Sequence, residues 1–461
     1  MSRPSAPSFQ LFAGVTITVA SLAVLFALTG CSEAPVRAPS EPSTSTLDAP
    51  PIRQSPSIAA PPEAWAGTIT MARLVAAAQA NHPTAAAIQA ARAAAAAQVL
   101  QAGVWSNPEL GVSVGSTTPR VDGVERDMPY GGSLSQRLTW WGARKARIAA
   151  ARAQQSAAEA NAQVARLGLQ ADVRRAIIAY ATANEAAVQA EDEALIASEL
   201  ATMTETQLAA GEANRATLAR ARLEATTSAL HRDSRRREIA TALANLRLWC
   251  DPELPDGLVI VDALKAEVAI DAVQLATAIE RHPQLRALAE ETGAAAASVE
   301  AERQSRVPDL TVGIFADREE EKDTYGVTLG FGIPLWDRNE AGIAAAEAER
   351  AHAHAAARSE RLRLQRDLSE ALGAVQTAQR EAQSLATEAM PVADEAIRLR
   401  QAAFQAGEGS MSELMEARRA VIAVRTELRD ARRRAALAMV DLGVAVGNPS
   451  LGAASPDAVR P

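Results

Sequence analysis

The chain has 461 residues, is 48% hydrophobic but only 3% aromatic, and carries a formal net charge of −8 at pH 7. The negative charge argues against a nucleic-acid-binding protein, because such surfaces are usually basic. The two cysteines, Cys31 and Cys250, do not predict an internal disulfide, because Cys31 lies in a processing motif and leaves Cys250 without a partner.

Residues 1–30 predict a secretory signal, with an apolar run from Leu11 to Thr29. The run ends in Leu28-Thr29-Gly30-Cys31, which resembles the lipobox of bacterial lipoproteins. That resemblance implies that Cys31 is acylated and becomes the mature N-terminus. The alternative is a single transmembrane anchor, because about 19 apolar residues can span a bilayer. Residues 31–66 are rich in Pro, Ser, Thr and Ala, a composition that predicts an extended, disordered tether.

The first repeat is predicted to cover residues 67–250. It starts with a helical pattern that is broken at His82-Pro83, because proline disfavours helix in the residue before it. Alternating apolar residues then predict a β-hairpin over 108–140, with strands of about ten residues, the length that crosses a bilayer. A proline-free stretch, 143–210, predicts one long helix. A return helix over 213–249 completes this copy.

The second repeat, residues 271–448, follows the same plan. Its His282-Pro283 corresponds to His82-Pro83 about 200 positions earlier, and its prolines, tryptophans and glycines recur in the same order. A β-hairpin is predicted over 308–335 and a long helix over 339–406, with a kink at Pro391. The remaining segments are a linker, 251–270, and a tail, 449–461.

These elements predict a mostly helical fold with membrane β-hairpins. Each copy supplies one long helix and two shorter helices whose lengths add up to about that of the long one. This suggests that each long helix packs against two shorter helices placed end to end, in a single layer of helices. Each copy also supplies two strands, so one chain has four, which cannot close a barrel, and lipid does not tolerate open sheet edges. A trimer with a 12-stranded β-barrel and an α-barrel is the smallest symmetric assembly that leaves a lumen.

The duplicated plan, with a Gly-Glu pair at each helix reversal, resembles the TolC family of outer-membrane efflux channels from about Thr68 to Gly447. Within it, Val307-Pro308-Asp309-Leu310-Thr311-Val312-Gly313 and Ile333-Pro334-Leu335-Trp336-Asp337-Arg338-Asn339 resemble the CzcC-type subgroup, which serves heavy-metal exporters of the resistance-nodulation-division (RND) class. The first copy departs from relatives at Trp140-Trp141-Gly142-Ala143-Arg144-Lys145, where a Gly-Lys-Arg-like turn is common.

The resemblance implies a homotrimeric, passive conduit in the outer membrane of a Gram-negative bacterium, embedded in lipid and reaching a periplasmic adaptor and an inner-membrane RND pump. Heavy-metal cations such as zinc, cobalt and cadmium are the expected cargo, with multidrug efflux as the alternative. A structural coiled-coil lipoprotein is the alternative of another class, although such a rod does not need two bilayer-length hairpins.

The helix reversals are the predicted functional sites, because they would form the gate or dock the adaptor. Nearby carboxylates could form acidic rings that favour cations, or they could be ordinary solvated charges. The predicted tip residues are Gly211, Glu212, Gly407, Glu408 and Gly409, and the predicted ring residues are Glu205 and Glu413.

The sequence contains no catalytic motif, so we do not expect an enzyme or a cofactor. His82 and His282 precede prolines at equivalent places and are interpreted as helix breaks. His352 and His354 are two residues apart and point to different faces of a helix, so we do not expect a metal site there.

Overall fold

The computed structural model describes residues 65, 69–115, 128–211, 213–264, 279–319, 322–406 and 408–448. All of them belong to one compact unit, Pro61–Pro461. The predicted signal, the predicted lipid attachment site Cys31, the tail and all of the tether except Trp65 lie outside the described residues.

The described residues are mostly helical and contain two β-hairpins, as predicted. The first copy contains helices α1 (Met71–Asn81) and α2 (Pro83–Ala102), strands β1 (Glu109–Val114) and β2 (Tyr130–Leu138), and helices α3 (Trp141–Ala209) and α4 (Arg215–Trp249). The second contains α5 (Pro283–Gln304), β3 (Leu310–Glu319), β4 (Lys322–Phe331), α6 (Glu340–Ser384), α7 (Met390–Gln405) and α8 (Met411–Val446).

Both His-Pro pairs start a helix. The Nδ1 atom of His82 accepts a hydrogen bond from the Thr84 N–H at 3.2 Å, and Nδ1 of His282 accepts one from Gln284 N–H at 3.1 Å. Proline fits the first helical position, because its missing N–H has no acceptor there. The two histidines are therefore N-caps, and His282 also packs its Nε2 atom 2.9 Å from the carbonyl oxygen of Val444.

The first strand is shorter than predicted. β1 has 6 residues and β2 has 9, whereas β3 and β4 have 10 each. The N–H of Gly115 donates to the carbonyl of Pro129 at 2.8 Å, but Pro129 has no N–H with which to return a bond. Regular pairing therefore stops at Val114, and residues 116–127, which follow Gly115, lie outside the described residues.

Helix α3 organises the helical part. It runs for 69 residues and buries small side chains, many of them alanine, along its length. Its partners are α1, α2 and α4 from the first copy and α5 and α8 from the second. The long helix α3 thus packs against several shorter helices placed along it. Its many alanines allow the helix axes to approach closely.

The second rod is helical without a gap from Glu340 to Gln405, but it is not a uniform α-helix. A π-helical turn, Leu385–Ala389, separates α6 from α7. The N–H of Met390 donates to the carbonyl of Leu385, five residues back. Pro391 has no N–H for the preceding turn, and widening that turn accommodates its ring within the helix.

The main core lies around the middle of α3, where α1, the end of α4 and residues 250–264 meet. Tyr180 is fully buried there and donates its hydroxyl to the carbonyl of Leu258 at 2.9 Å. A second cluster joins α6 to α8 around Val375 and Leu442.

Cys250 lies in the main core, and burial raises the pKa of its thiol to about 12, with Asp251 adding to the shift. The unfolded chain would ionise this thiol near 9, so its contribution to stability is present below pH 9 and is lost as pH rises towards 12. We expect no alkylation of Cys250 by iodoacetamide at pH 8 until the chain unfolds, as measured by mass spectrometry. Rapid labelling of the folded protein would contradict this placement.

Charged residues cover the outer faces of the helices. Many form ion pairs, such as Arg175–Asp441 at 2.7 Å between α3 and α8. Both partners are largely exposed, and such pairs contribute about 0–1 kcal/mol each. None of the helices within the described ranges has the length and hydrophobicity needed to cross a membrane.

Candidate functional site

The two hairpins form one antiparallel sheet in the order β1-β2-β3-β4. Strand β2 of the first copy pairs with β3 of the second, with Leu134 opposite Ile314 and Leu138 opposite Leu310. Strands β1 and β4 are the open edges of this sheet. An unpaired edge invites pairing with another chain.

One face of the sheet is mostly apolar, with Gln136 on β2 and the Arg318–Asp323 ion pair near the end of the second hairpin as its polar positions. Residues directly opposite one another share a face, and the pairing register places thirteen apolar side chains together. All of them are exposed except the half-buried Val312. An exposed apolar patch of this extent marks a surface that contacts lipid or another protein. The set is Leu110, Val112, Val114, Tyr130, Leu134, Leu138, Leu310, Val312, Ile314, Tyr325, Val327, Leu329 and Phe331.

The opposite face carries mostly glycine, serine and threonine. Its larger side chains lie along the sheet: a Cβ atom added to Gly326 would collide with the ring of Phe315, and one added to Gly131 would collide with Asp317. These glycines therefore let neighbouring side chains lie flat across the backbone. The small residues of this face are Gly111, Ser113, Gly131, Ser133, Ser135, Thr311, Gly313, Thr324, Gly326, Thr328 and Gly330.

The first helix reversal joins α3 to α4. Gly211 adopts φ +81°, the left-handed conformation that glycine tolerates best, and its N–H donates to the carbonyl of Leu208 at 3.1 Å. Asn214 then caps α4 by accepting from the N–H of Thr217 at 2.9 Å. The other predicted residue of this tip, Glu212, lies outside the described residues.

The second reversal joins α7 to α8. The N–H groups of Glu408 and Gly409 both donate to the carbonyl of Ala403, at 2.9 and 3.1 Å. Ser410 and Glu413 form a reciprocal capping box at the start of α8. Gly407 lies outside the described residues.

The two predicted ring carboxylates are each paired across their own tip. Glu205 on α3 accepts from Arg222 on α4 at 2.7 Å, and Glu413 on α8 accepts from Arg400 on α7 at 3.1 Å. All four side chains are exposed. Sequence reasoning missed both arginines, because their partners are set by how the helices pack, whereas the Ser410-x-x-Glu413 spacing could have revealed the capping box.

A groove of about 700 Å³ lies between α3, α7 and α8 above these tips. Arg418 lines it, and its Nη1 atom is buried without a hydrogen-bond partner among the described residues. Burial lowers the pKa of Arg418, while the carboxylates of Glu224, Glu193 and Glu199 oppose that shift. The groove is therefore a charged surface near the tips, and the sequence alone did not indicate it.

Within the described residues, no group of three or more His, Cys, Asp and Glu side chains could hold a metal ion. His352 and His354 are exposed on α6, and the nearest carboxylate to His352 is Glu349, at 3.8 Å from Nδ1.

Comparison with known proteins gives one consistent result. The sequence profile described as outer membrane efflux protein matches twice, over residues 74–249 and 275–448. The cobalt-zinc-cadmium resistance protein CzcC of Cupriavidus metallidurans is 27% identical over 343 residues, which cover 71% of this chain and 78% of that protein. The nickel-cobalt-cadmium resistance protein NccC of Alcaligenes xylosoxydans xylosoxydans is 28% identical over 267 residues, 56% of this chain and 60% of that protein.

Solved structures show the same fold. CusC, studied for folding and transmembrane channel formation, superposes with a TM-score of 0.70 at 19% identity, over 82% of this chain and 92% of that one. A membrane protein from Pseudomonas aeruginosa superposes with a TM-score of 0.69 at 22% identity, over 82% and 93% of the two chains.

Proposed function

This chain belongs to the outer membrane efflux protein family, and from that premise we propose that it is the outer-membrane channel of a tripartite RND-type efflux system that exports heavy-metal cations. The channel is a passive conduit, since the family and the superposed structures are channels rather than enzymes. The observation that carries the proposal is the two-faced sheet built from both repeats.

The sheet supports a membrane-embedded barrel made by several chains. Its apolar face suits the hydrocarbon of a bilayer, and its small polar face suits an aqueous lumen. Four strands with two open edges cannot satisfy their backbone hydrogen bonds in lipid, so β1 and β4 must pair with neighbouring chains. Three copies give twelve strands, enough to enclose a channel, and the helices continue that channel into the periplasm.

Metal cargo is supported by the two curated relatives, both of which are heavy-metal resistance proteins. Multidrug efflux stays the second candidate, because the sequence resembles the TolC family as a whole and the shared channel fold does not by itself select a cargo. The conduit itself needs no metal site, because the inner-membrane pump can select the cargo.

The helix tips are proposed to meet the periplasmic adaptor and to form the gate. Gly211 and Gly409 sit at the reversals, and the ion pairs Glu205–Arg222 and Arg400–Glu413 hold each reversal together. Gly407, Glu408 and Glu212 complete the proposed tip surface. We also propose that Cys31 carries the acyl anchor that tethers each chain to the outer membrane.

Deleting the gene and restoring it on a plasmid tests this function. We expect the deletion strain to become sensitive to zinc, cobalt or cadmium while its drug tolerance stays unchanged, and we expect the plasmid to restore resistance. Growth inhibition across a metal series and a drug panel is the measurement. Loss of drug tolerance alone would refute the metal assignment, and purified protein that is monomeric and does not conduct ions in a planar bilayer would refute the channel.

A further inference from the structure

A row of exposed side chains follows the sheet at the start of α3. Trp141, Lys145, Ala149 and Arg152 are spaced by four, four and three residues, so they share one face of the helix. They border a shallow groove together with Arg144 and Ile148. We call these four exposed residues the junction surface. Trp141 is 79% exposed, which is unfavourable in water for so large an aromatic side chain.

The junction surface is positively charged. No ion pair links Lys145 or Arg152 to another described residue, and the first turn of α3 contains no acidic residue. Arg144 differs, because its guanidinium donates to the carbonyl of Gly103 and lies 4.9 Å above the ring of Trp105. Arg144 thus links α3 to the end of α2, whereas the charges of Lys145 and Arg152 are available to bind an anion.

The neighbouring helices do not cover this face. Arg144 points to Gly103 on one flank of α3, and Gly142 packs against Gln304 of α5 on another. Asn161 donates to Glu291 at 2.7 Å on the same α5 side. At this level the helices pack in the order α2, α3, α5, α6, so a further copy that continues the layer would join at α2 or α6 rather than at α3.

The position of the surface points to the bilayer. Trp141 lies three residues after the end of β2, whose mostly apolar face is shared with the rest of the sheet. Side chains on a helix lean towards its N-terminus, so Lys145 and Arg152 lean towards the sheet. The second copy has a similar arrangement: Trp336 is 93% exposed after β4, and Arg338 is exposed two residues later. Tryptophan beside lysine or arginine is the usual composition where protein meets lipid headgroups.

We propose that the junction surface binds the phosphate headgroups of anionic phospholipids in the leaflet that borders the helices. Trp141 lies among the upper acyl chains and glycerol groups, while Lys145 and Arg152 pair with phosphates. This inference rests on the proposed channel function, because it places the sheet in a membrane.

The test counts lipids bound to the purified full-length protein by native mass spectrometry, titrating phosphatidylglycerol and, separately, phosphatidylcholine. The double variant Lys145→Gln with Arg152→Gln removes two charges from the surface. Each cation near an anionic membrane surface is worth about fivefold in affinity, so we expect phosphatidylglycerol to bind roughly tenfold or more weakly. Phosphatidylcholine binding should change little.

A matched control removes two exposed arginines elsewhere, Arg237→Gln on α4 and Arg358→Gln on α6, and should leave phosphatidylglycerol binding unchanged. A second measurement uses fluorescence quenching by phospholipids brominated near the glycerol group. The quenched fraction of tryptophan fluorescence should fall more in the Trp141→Phe variant than in the Trp249→Phe variant. Trp249 stacks on His82, with 4.8 Å between the ring centroids, so it should not contact lipid.

Equal losses in the test and control variants would overturn the proposal, as would unchanged phosphatidylglycerol binding. If the double variant keeps its lipid but loses its oligomeric state, the surface is a protein contact and the proposal is wrong. No metal enters these measurements. Failure of the metal-resistance test with normal lipid binding would therefore reject the proposed function and leave the lipid site standing.

Discussion

Replacing Gly447 with alanine is expected to lower the free energy of unfolding by about 2–4 kcal/mol, because it combines backbone strain with overpacking. Gly447 ends α8 at φ +73°, a conformation that costs energy for any residue with a Cβ atom. That Cβ would also collide with the ring of Pro283 and lie 3.0 Å from Cδ2 of His282. The substitution would push apart the end of α8 and the start of α5, where His282 contacts Val444. Thermal unfolding of the detergent-solubilised protein should shift down by about 5 °C.

Gly373 provides the control for this prediction. It lies inside α6 with a helical backbone, and no atom outside that local backbone lies within 4 Å of an added Cβ. Alanine there should stabilise the helix by about 0.5–1 kcal/mol. If Gly447→Ala and Gly373→Ala changed stability in the same direction, the close contact between α8 and α5 would not require glycine at position 447.

The valine variant at Gly211 is expected to reduce metal export strongly while leaving the protein folded. Gly211 has a left-handed backbone similar to that of Gly447, but no atom lies within 4 Å of an added Cβ. The backbone strain that valine introduces, about 1–3 kcal/mol, is therefore confined to the turn. The turn should relieve it by changing conformation, and the rest of the chain should stay folded. If this tip docks the adaptor as proposed, we expect at least a tenfold loss of export.

Export, adaptor cross-linking and thermal unfolding should be measured together for this variant. The control is Ala210→Val, because Ala210 is an exposed neighbour in the same turn with an ordinary φ of −78°. It should leave all three readouts close to wild type. Full export by Gly211→Val would show that this tip tolerates rearrangement and would count against its role in docking or gating.

Local patterns in the sequence were sufficient to predict the element types. Alternating apolar residues such as Tyr325, Val327 and Leu329 identified β4, and the proline-free stretch identified α3 to within two residues at its start. The π-helical turn was not predicted, because Pro391 marks a disturbance without specifying how the backbone adapts.

Contacts between segments that are far apart in the chain could not be predicted from the sequence. The pairing of β2 with β3 depends on how the two copies come together, and no local signal encodes it. The same holds for Arg222 and Arg400, which are two among many exposed arginines until the helix packing places them beside Glu205 and Glu413. The role of Gly447 likewise depends on Pro283, a residue from the opposite end of the second copy.

The short side chains on the polar face of the sheet have a consequence for transport rate. Glycine, serine and threonine offer an ion neither strong ligands nor steric barriers, and Phe315 and Asp317 lie flat beside Gly326 and Gly131. Fast conduction requires that a permeating ion bind weakly enough to leave again. In the proposed channel a divalent cation would therefore keep its hydration shell over the middle of the sheet, and it would meet carboxylates only towards the strand ends, at Glu109, Asp317 and Glu319.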